Sequence, residues 1–179
     1  MKDNDLIRTF RPIIINGLIA AGYSGVQVKQ ANQPTQQGAN TAPTVYFYKL
    51  SDKRYGFLRR SDDYSDEDAT MYHSEIQFYE SQFQVSSLVR QSPLTPYEYT
   101  ASDLVNEVSM ILQSSYCLDI LTAANIGVLR ISNIRNPYFM DDRDQFEASP
   151  SFDFTLTYRQ TRITTDPVVD EFEFNLYRV

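Results

Sequence analysis

Near the C-terminal end, Phe152, Phe154, Leu156 and Tyr158 alternate with Asp153, Thr155, Thr157 and Arg159. A two-residue period puts every apolar side chain on one face of an extended chain. Such a segment must lie on a sheet with a core on one side and water on the other. The same period recurs in Phe172, Phe174 and Leu176 against Glu171, Glu173, Asn175 and Tyr177. Thr164, Thr165, Asp166 and Pro167 between the two runs have turn chemistry, so an antiparallel pair is expected. Further upstream, residues 73–89 carry Ile76, Phe78 and Glu80 on one side and Gln77, Tyr79 and Ser81 on the other. Phe83 and Val85 continue that pattern after an expected bulge. Val45, Tyr46, Phe47, Tyr48 and Leu50 are also β-prone. Tyr55, Gly56, Phe57, Leu58 and Arg59 follow across Ser51, Asp52, Lys53 and Arg54, which predicts a hairpin there.

Two other segments have a helical period. Leu6, Phe10, Ile13, Ile14, Leu18 and Ala21 form one stripe, with Asp3 or Asp5 as N-cap and Gly22 as the stop. Pro12 either kinks this helix or begins it. Leu104, Val105, Val108, Ile111 and Leu112 form a second stripe behind a Thr100–Asp103 capping box. Ser114 or Ser115 caps a short third helix through Leu118 and Leu121, which Asn125 and Gly127 end before a strand at residues 127–134. Val26, Gln27 and Val28 make a short strand. The polar stretch 30–43 reads as a loop, longer than the usual ~4–6 residues. The expected architecture is α+β: an antiparallel sheet with two or three helices on one face.

At 179 residues, a single domain (residues 1–179) with a mobile loop near 30–43 is expected. No run approaches the ~20 apolar residues of a membrane span, and residues 13–21 lack a cleavage site for a signal peptide. A soluble chain kept in a cytosol is therefore expected. Sixteen basic against 23 acidic residues give a net charge of −7, which disfavours stable binding to nucleic acid. The lone Cys117 and lone His73 remove disulfides, cysteine zinc sites and most histidine metal sites. Thirteen Tyr and eleven Phe suit strands and interfaces.

Catalytic constellations are missing. A nucleophile–base pair has only His73 to draw on, and six glycines provide no phosphate cradle. His73 reads as a surface or interface residue, and Cys117 as a small buried apolar one. The acidic clusters Asp62, Asp63, Asp66, Glu67, Asp68 and Asp141, Asp142, Asp144 lack the glycine and spacing of a calcium loop, so they read as solvated charge. Tyr138, Phe139 and Met140 beside the second cluster suit either core packing or a partner.

Four segments in the second half, LQSSYCLDIL (112–121), NIGVLR (125–130), FMDDRDQF (139–146) and FDFTLTY (152–158), stand in an ordered series. With the earlier TVYFYKL (44–50) and RYGFLRR (54–60), they resemble the neck or tail terminator proteins of tailed bacteriophages, over roughly residues 1–165.

That resemblance implies a virion structural protein of the head-to-tail junction, assembled in the host bacterial cytoplasm. It implies a ring, usually six-fold, that caps the tail tube, meets the tube or sheath protein and the head connector, and lets DNA pass. It implies no enzyme activity and no cofactor. A head-completion (stopper) or tail-tube-like ring protein is the nearest alternative, and a small hydrolase or nucleic-acid enzyme the remote one. Six copies of a chain of charge −7 would make a negative channel that repels phosphates. The candidate lumen or rim residues are Asp62, Asp63, Asp66, Glu67 and Asp68, and the candidate contacts are Tyr138, Phe139, Asp141, Asp142 and Arg143. The aromatic runs at 46–50 and 76–79 are candidates for extending a sheet between subunits.

Overall fold

The computed structural model describes residues 2–31, 42–89, 98–140 and 146–167, with backbone alone at 138–140, 146–148 and 167. Three helices, α1 (Asp3–Ala20), α2 (Ala101–Gln113) and α3 (Ser115–Ala123), accompany seven strands. The strands are β1 (Gln27–Gln30), β2 (Thr44–Ser65), β3 (Thr70–Leu88), β4 (Ile126–Ile131), β5 (Tyr138–Met140), β6 (Phe146–Ala148) and β7 (Ser151–Pro167). Five of them form one sheet in the order β1-β2-β3-β7-β4, while β5 and β6 make a separate hairpin. The expected α+β class holds. All pairings in the main sheet are antiparallel except β1 with β2, which is parallel.

Core packing follows the two periods. Leu6, Phe10, Ile13, Ile14 and Leu18 bury the α1 stripe, and Leu104, Val105, Val108, Ile111 and Leu112 that of α2. They meet Val45 and Phe47 of β2, Phe83 and Val85 of β3, and Phe152, Phe154 and Leu156 of β7. Phe10 is the hub: its ring makes edge contacts with Phe47, Phe83 and Phe154 at centroid distances of 5.0, 5.2 and 5.5 Å. Each fully buried aromatic of this kind contributes about 1.5–3 kcal/mol, with further gain from the edge geometry. α1 crosses α2 at Gly17, where a Cβ would come within 2.6 Å of Ile111 Cγ2. Cys117 is fully buried in α3, and burial pushes its thiol up to about 11, so it stays protonated and apolar.

Local signals explain the helix ends. Thr100 accepts from the Asp103 N–H while the Asp103 carboxylate accepts from the Thr100 N–H, completing the capping box. Ser114 caps α3 by accepting from the Cys117 N–H. Neither Asp3 nor Asp5 is the N-cap of α1. Lys2 holds that place, and the Asp5 carboxylate reaches back to the Lys2 N–H. Pro12 lies inside the helix on its exposed side, where water can serve the carbonyl left without its N–H partner. Gly22 takes a positive φ of 90° just past α1, and Asn125 does the same at 57° past α3.

Three strand expectations are overturned. Ser51 to Arg54 form no turn: β2 runs on for 22 residues, and the hairpin instead closes at residues 66–69, within the acidic stretch. Thr164 to Pro167 likewise do not turn, since they pair with His73 to Thr70 as the end of β7. The irregularities lie in β2 rather than β3, between Lys49 and Ser51 and between Tyr55 and Arg59. β3 itself keeps one register against β7 from Thr70 to Ser86, so Phe83 and Val85 share a face with Gln77 and Ser81. The expected strand at 171–177 and most of the loop 30–43 lie outside the described residues.

Candidate assembly interface

The helices cover only the inner half of the long strands. From Leu50 to Arg60 every residue of β2 is exposed, and from Arg159 to Asp166 every residue of β7. β2, β3 and β7 therefore continue past the core as a three-stranded arm that meets water on both faces. β2 spans roughly 70 Å at ~3.3 Å per residue. Outside the body neither arm edge has a partner among the described residues, because β1 pairs only with residues 44–47 of β2 and β4 only with 154–158 of β7. The runs proposed for sheet extension are thus corrected. Residues 76–79 lie in the central strand, with neighbours on both sides, and most of the free backbone lies further out on β2 and β7.

A polar network fixes the arm where it leaves the body. Lys49 bridges Asp3 at the start of α1 (2.6 Å) and Asp52 in β2 (2.5 Å). Asp52 also accepts from the Ser81 hydroxyl, which sits 3.5 Å from the Tyr158 hydroxyl. Burial pushes the Asp52 carboxyl up, but the hydrogen bonds from Lys49 and Ser81 outweigh it and hold the group below the usual carboxylate range. Tyr79 stacks on Tyr158 beside this network at 5.7 Å.

Farther out, three residues of β2, Gly56 to Leu58, oppose the single Gln77 of β3, and Gly56 supplies the required φ of 71°. The buried Gln77 lies opposite this bulge, and its Nε2 donates to Tyr55 O of β2 at 2.9 Å and to the O of its chain neighbour Phe78 at 3.1 Å. The bulge throws Phe57 out to 99% exposure.

On the face continuous with the core, Arg60 pairs with Glu75, and His73 links two strands. Its Nδ1 lies 2.8 Å from Asp62 of β2 and its Nε2 3.3 Å from Asp166 of β7. The hydrogen bond that His73 donates to the Asp62 carboxylate raises the imidazole above its ordinary value, with Asp166 adding to the effect. At the turn, Asp68 accepts from the hydroxyl of Tyr72, which lies on the other face. The opposite, bare face has another character. Register places Tyr55, Phe78 and Arg159 in one row, Arg59, Ile76 and Thr161 in the next, and Ser61, Ser74 and Ile163 beyond. Tyr55 is 64% exposed, Phe78 52% and Ile163 60%.

The acidic residues named from sequence are thus brought together at the arm tip: Asp62 and Asp63 end β2, and Asp66, Glu67 and Asp68 lie in the turn. Among the described residues no group of His, Cys, Asp and Glu is arranged to hold a metal. Of the second set, Tyr138 and Phe139 lie in the β5–β6 hairpin as backbone, and Asp141, Asp142 and Arg143 lie outside the described residues. What sequence reasoning missed is the arm. Its signal was present in the β-branched and aromatic residues that persist past the core pattern.

Comparison with known proteins decides the family. The model of the E217 gateway protein gp29 family matches residues 5–168, nearly the whole described fold. The chain belongs to that family. The resemblance to phage neck and tail terminator proteins, read from residues 112–158, is thereby borne out. Beyond the gateway family, the fold is shared with the sheath/tube terminator of an extracellular contractile injection system (PVC), solved by cryo-EM in its extended state. The TM-score is 0.52 at 8% identity, covering 100% of this chain and 64% of that one, so the likeness is one of fold. No curated protein matches the chain. No helix among the described residues is long and apolar enough to cross a membrane.

Proposed function

We propose that this member of the gateway family is a structural subunit of the phage neck, a terminator-type ring that caps the tail tube and joins it to the head connector. The observation that carries this reading is the family match over residues 5–168. The shape supports it: a helix-covered body builds a ring wall, and an arm whose two edges are open among the described residues, with a bare apolar face, reaches a neighbour. In this reading the ring is six-fold, sits in the virion neck, meets tube or sheath protein below and connector protein above, and passes DNA without gripping it. The subunit works by shape and charge, with no catalysis and no cofactor. The acidic tip, Asp62, Asp63, Asp66, Glu67 and Asp68, stands at the channel rim, where neighbouring subunits meet. Tyr138, Phe139, Asp141, Asp142 and Arg143 face an adjoining ring.

The test is light scattering over a concentration series with negative-stain imaging of the same sample, repeated with purified tails. Closed six-fold rings with an open centre, free or on tail ends, are expected. A chain that neither forms rings nor binds tails would refute the assignment.

A further inference from the structure

Charge along the arm is banded. Between the pairs Lys53–Glu80 and Arg60–Glu75, the three strands carry Lys53, Arg54, Arg59, Arg60, Arg159 and Arg162 against Glu75 and Glu80. Six cations against two carboxylates make this belt +4, on a chain whose net charge is −7. The tip beyond it, residues 61–74 and 163–167, has Asp62, Asp63, Asp66, Glu67, Asp68 and Asp166 and no Lys or Arg, a charge of −6 with His73 neutral. Both faces carry cations without an ion-pair partner among the described residues, Arg54 and Arg162 on the core side, but they treat the acidic groups differently. On the face continuous with the core, Asp62 and Asp166 are engaged by His73, and Arg60 by Glu75. On the bare face, Lys53, Arg59 and Arg159 of the belt and Asp63 of the tip have no ion-pair partner among the described residues, and neither do Asp66 and Glu67 in the turn.

Tip and belt form no ion pair within one copy among the described residues: on the bare face the nearest such charges, Arg59 and Asp63, are four residues or about 13 Å apart along β2. Along β7 the row of Arg159 and the row of Thr165, opposite Asp63, are six residues or about 20 Å apart. Charges of both signs that lack a partner among the described residues, at two places on one sheet, are complementary between molecules. The same bare face carries Tyr55, Phe78 and Ile163, half or more exposed, which give such a contact an apolar centre inside a charged border.

We propose that the arm docks on the arm of a second copy, with the acidic tip of one seated on the basic belt of the other across the bare face. This rests on the ring reading and names the contact by which neighbours recognise each other. Charge order also fixes the alignment. Arms laid side by side in register would set belt on belt and tip on tip. The copies therefore meet displaced along the arm or crossed, so that each tip reaches its neighbour's belt.

Paired charge reversal tests this, since every substituted residue is exposed and the fold is expected to survive. One variant carries Arg59→Glu with Arg159→Glu, the other Asp63→Lys with Glu67→Lys. Self-association is followed by sedimentation at low salt, with circular dichroism to confirm folding. Each variant alone should associate about tenfold or more weakly than the wild type. An equimolar mixture should recover association, because the reversed tip positions of one variant then face the reversed belt positions of the other with opposite sign. Rings that form regardless of both reversals would overturn the arm contact and leave the ring reading standing. Loss in each variant without recovery in the mixture would also overturn it. A wild-type chain that stays monomeric at every concentration overturns it too, and the ring reading then rests on tail binding alone.

Discussion

Body and arm share the same three strands and differ in what surrounds them. In the body β3 reads Phe83, Val85 and Ser87 inward and Gln82, Gln84 and Ser86 outward, because α1 and α2 cover one face and water the other. In the arm the same strand meets solvent on both faces and is held by backbone pairing, by Gln77 under the bulge and by ion pairs across strands. One region is specified by burial and the other by hydrogen bonds and charge. Their responses to substitution should differ accordingly.

The largest contrast is between two phenylalanines. Phe10→Ala leaves a void among Phe47, Phe83 and Phe154 and should cost about 3–5 kcal/mol in urea unfolding. Phe57→Ala, at a side chain 99% exposed, should change stability by less than about 0.5 kcal/mol. A large loss at Phe57 would show that the arm is packed against something. Gly17→Val comes next, since its side chain must displace Ile111 at the α1–α2 crossing, and about 1–3 kcal/mol should be lost. Thr100→Ala removes the α2 cap and should cost about 1 kcal/mol. The Asp103 carboxyl, now held below its usual range by hydrogen bonds from Thr100, should move up towards its ordinary value in a carboxylate titration.

The smallest effect is local to the arm and depends on pH. His73 has a raised folded-state value, so its contribution to the tip is fully present below the unfolded value of about 6.5. It is lost as pH rises through the folded value above that. As the only histidine, His73 can be followed directly by NMR. Its midpoint should lie above 6.5 and fall towards it in Asp62→Asn, while global stability is unchanged. A midpoint at or below the ordinary value would dismiss the Asp62–His73–Asp166 bridge.

The same division explains what the sequence disclosed. Helical and two-residue periods record which side of an element is buried, so α1, α2, the start of β2 and Phe152 to Tyr158 were legible. Where β2 leaves the core that record stops. Ser51, Asp52, Lys53 and Arg54 look like a turn only because both of their faces meet water. Thr164 to Pro167 misled for the same reason. Gly56, expected within the second strand of that hairpin, instead permits the bulge opposite Gln77. The parallel pairing of β1 rests on a tertiary contact, Gln27 to Gln30 against Thr44 to Phe47, for which a four-residue strand has no local signature. The acidic residues were found, but their gathering at one end of the arm depends on where the hairpin closes.

The unbroken register of β3 against β7 also has a mechanical meaning. From Ser86 opposite Ser151 to Thr70 opposite Pro167 no residue is skipped, and the line runs from among the helices to the far end of the arm. A pull on residues 66–69 along the strand axis loads all those backbone bonds together, in shear, with none exposed to be opened first. A sideways push on the free margin of β2 meets them one by one. The arm is built to resist tension along its length and to yield to peeling at its edge.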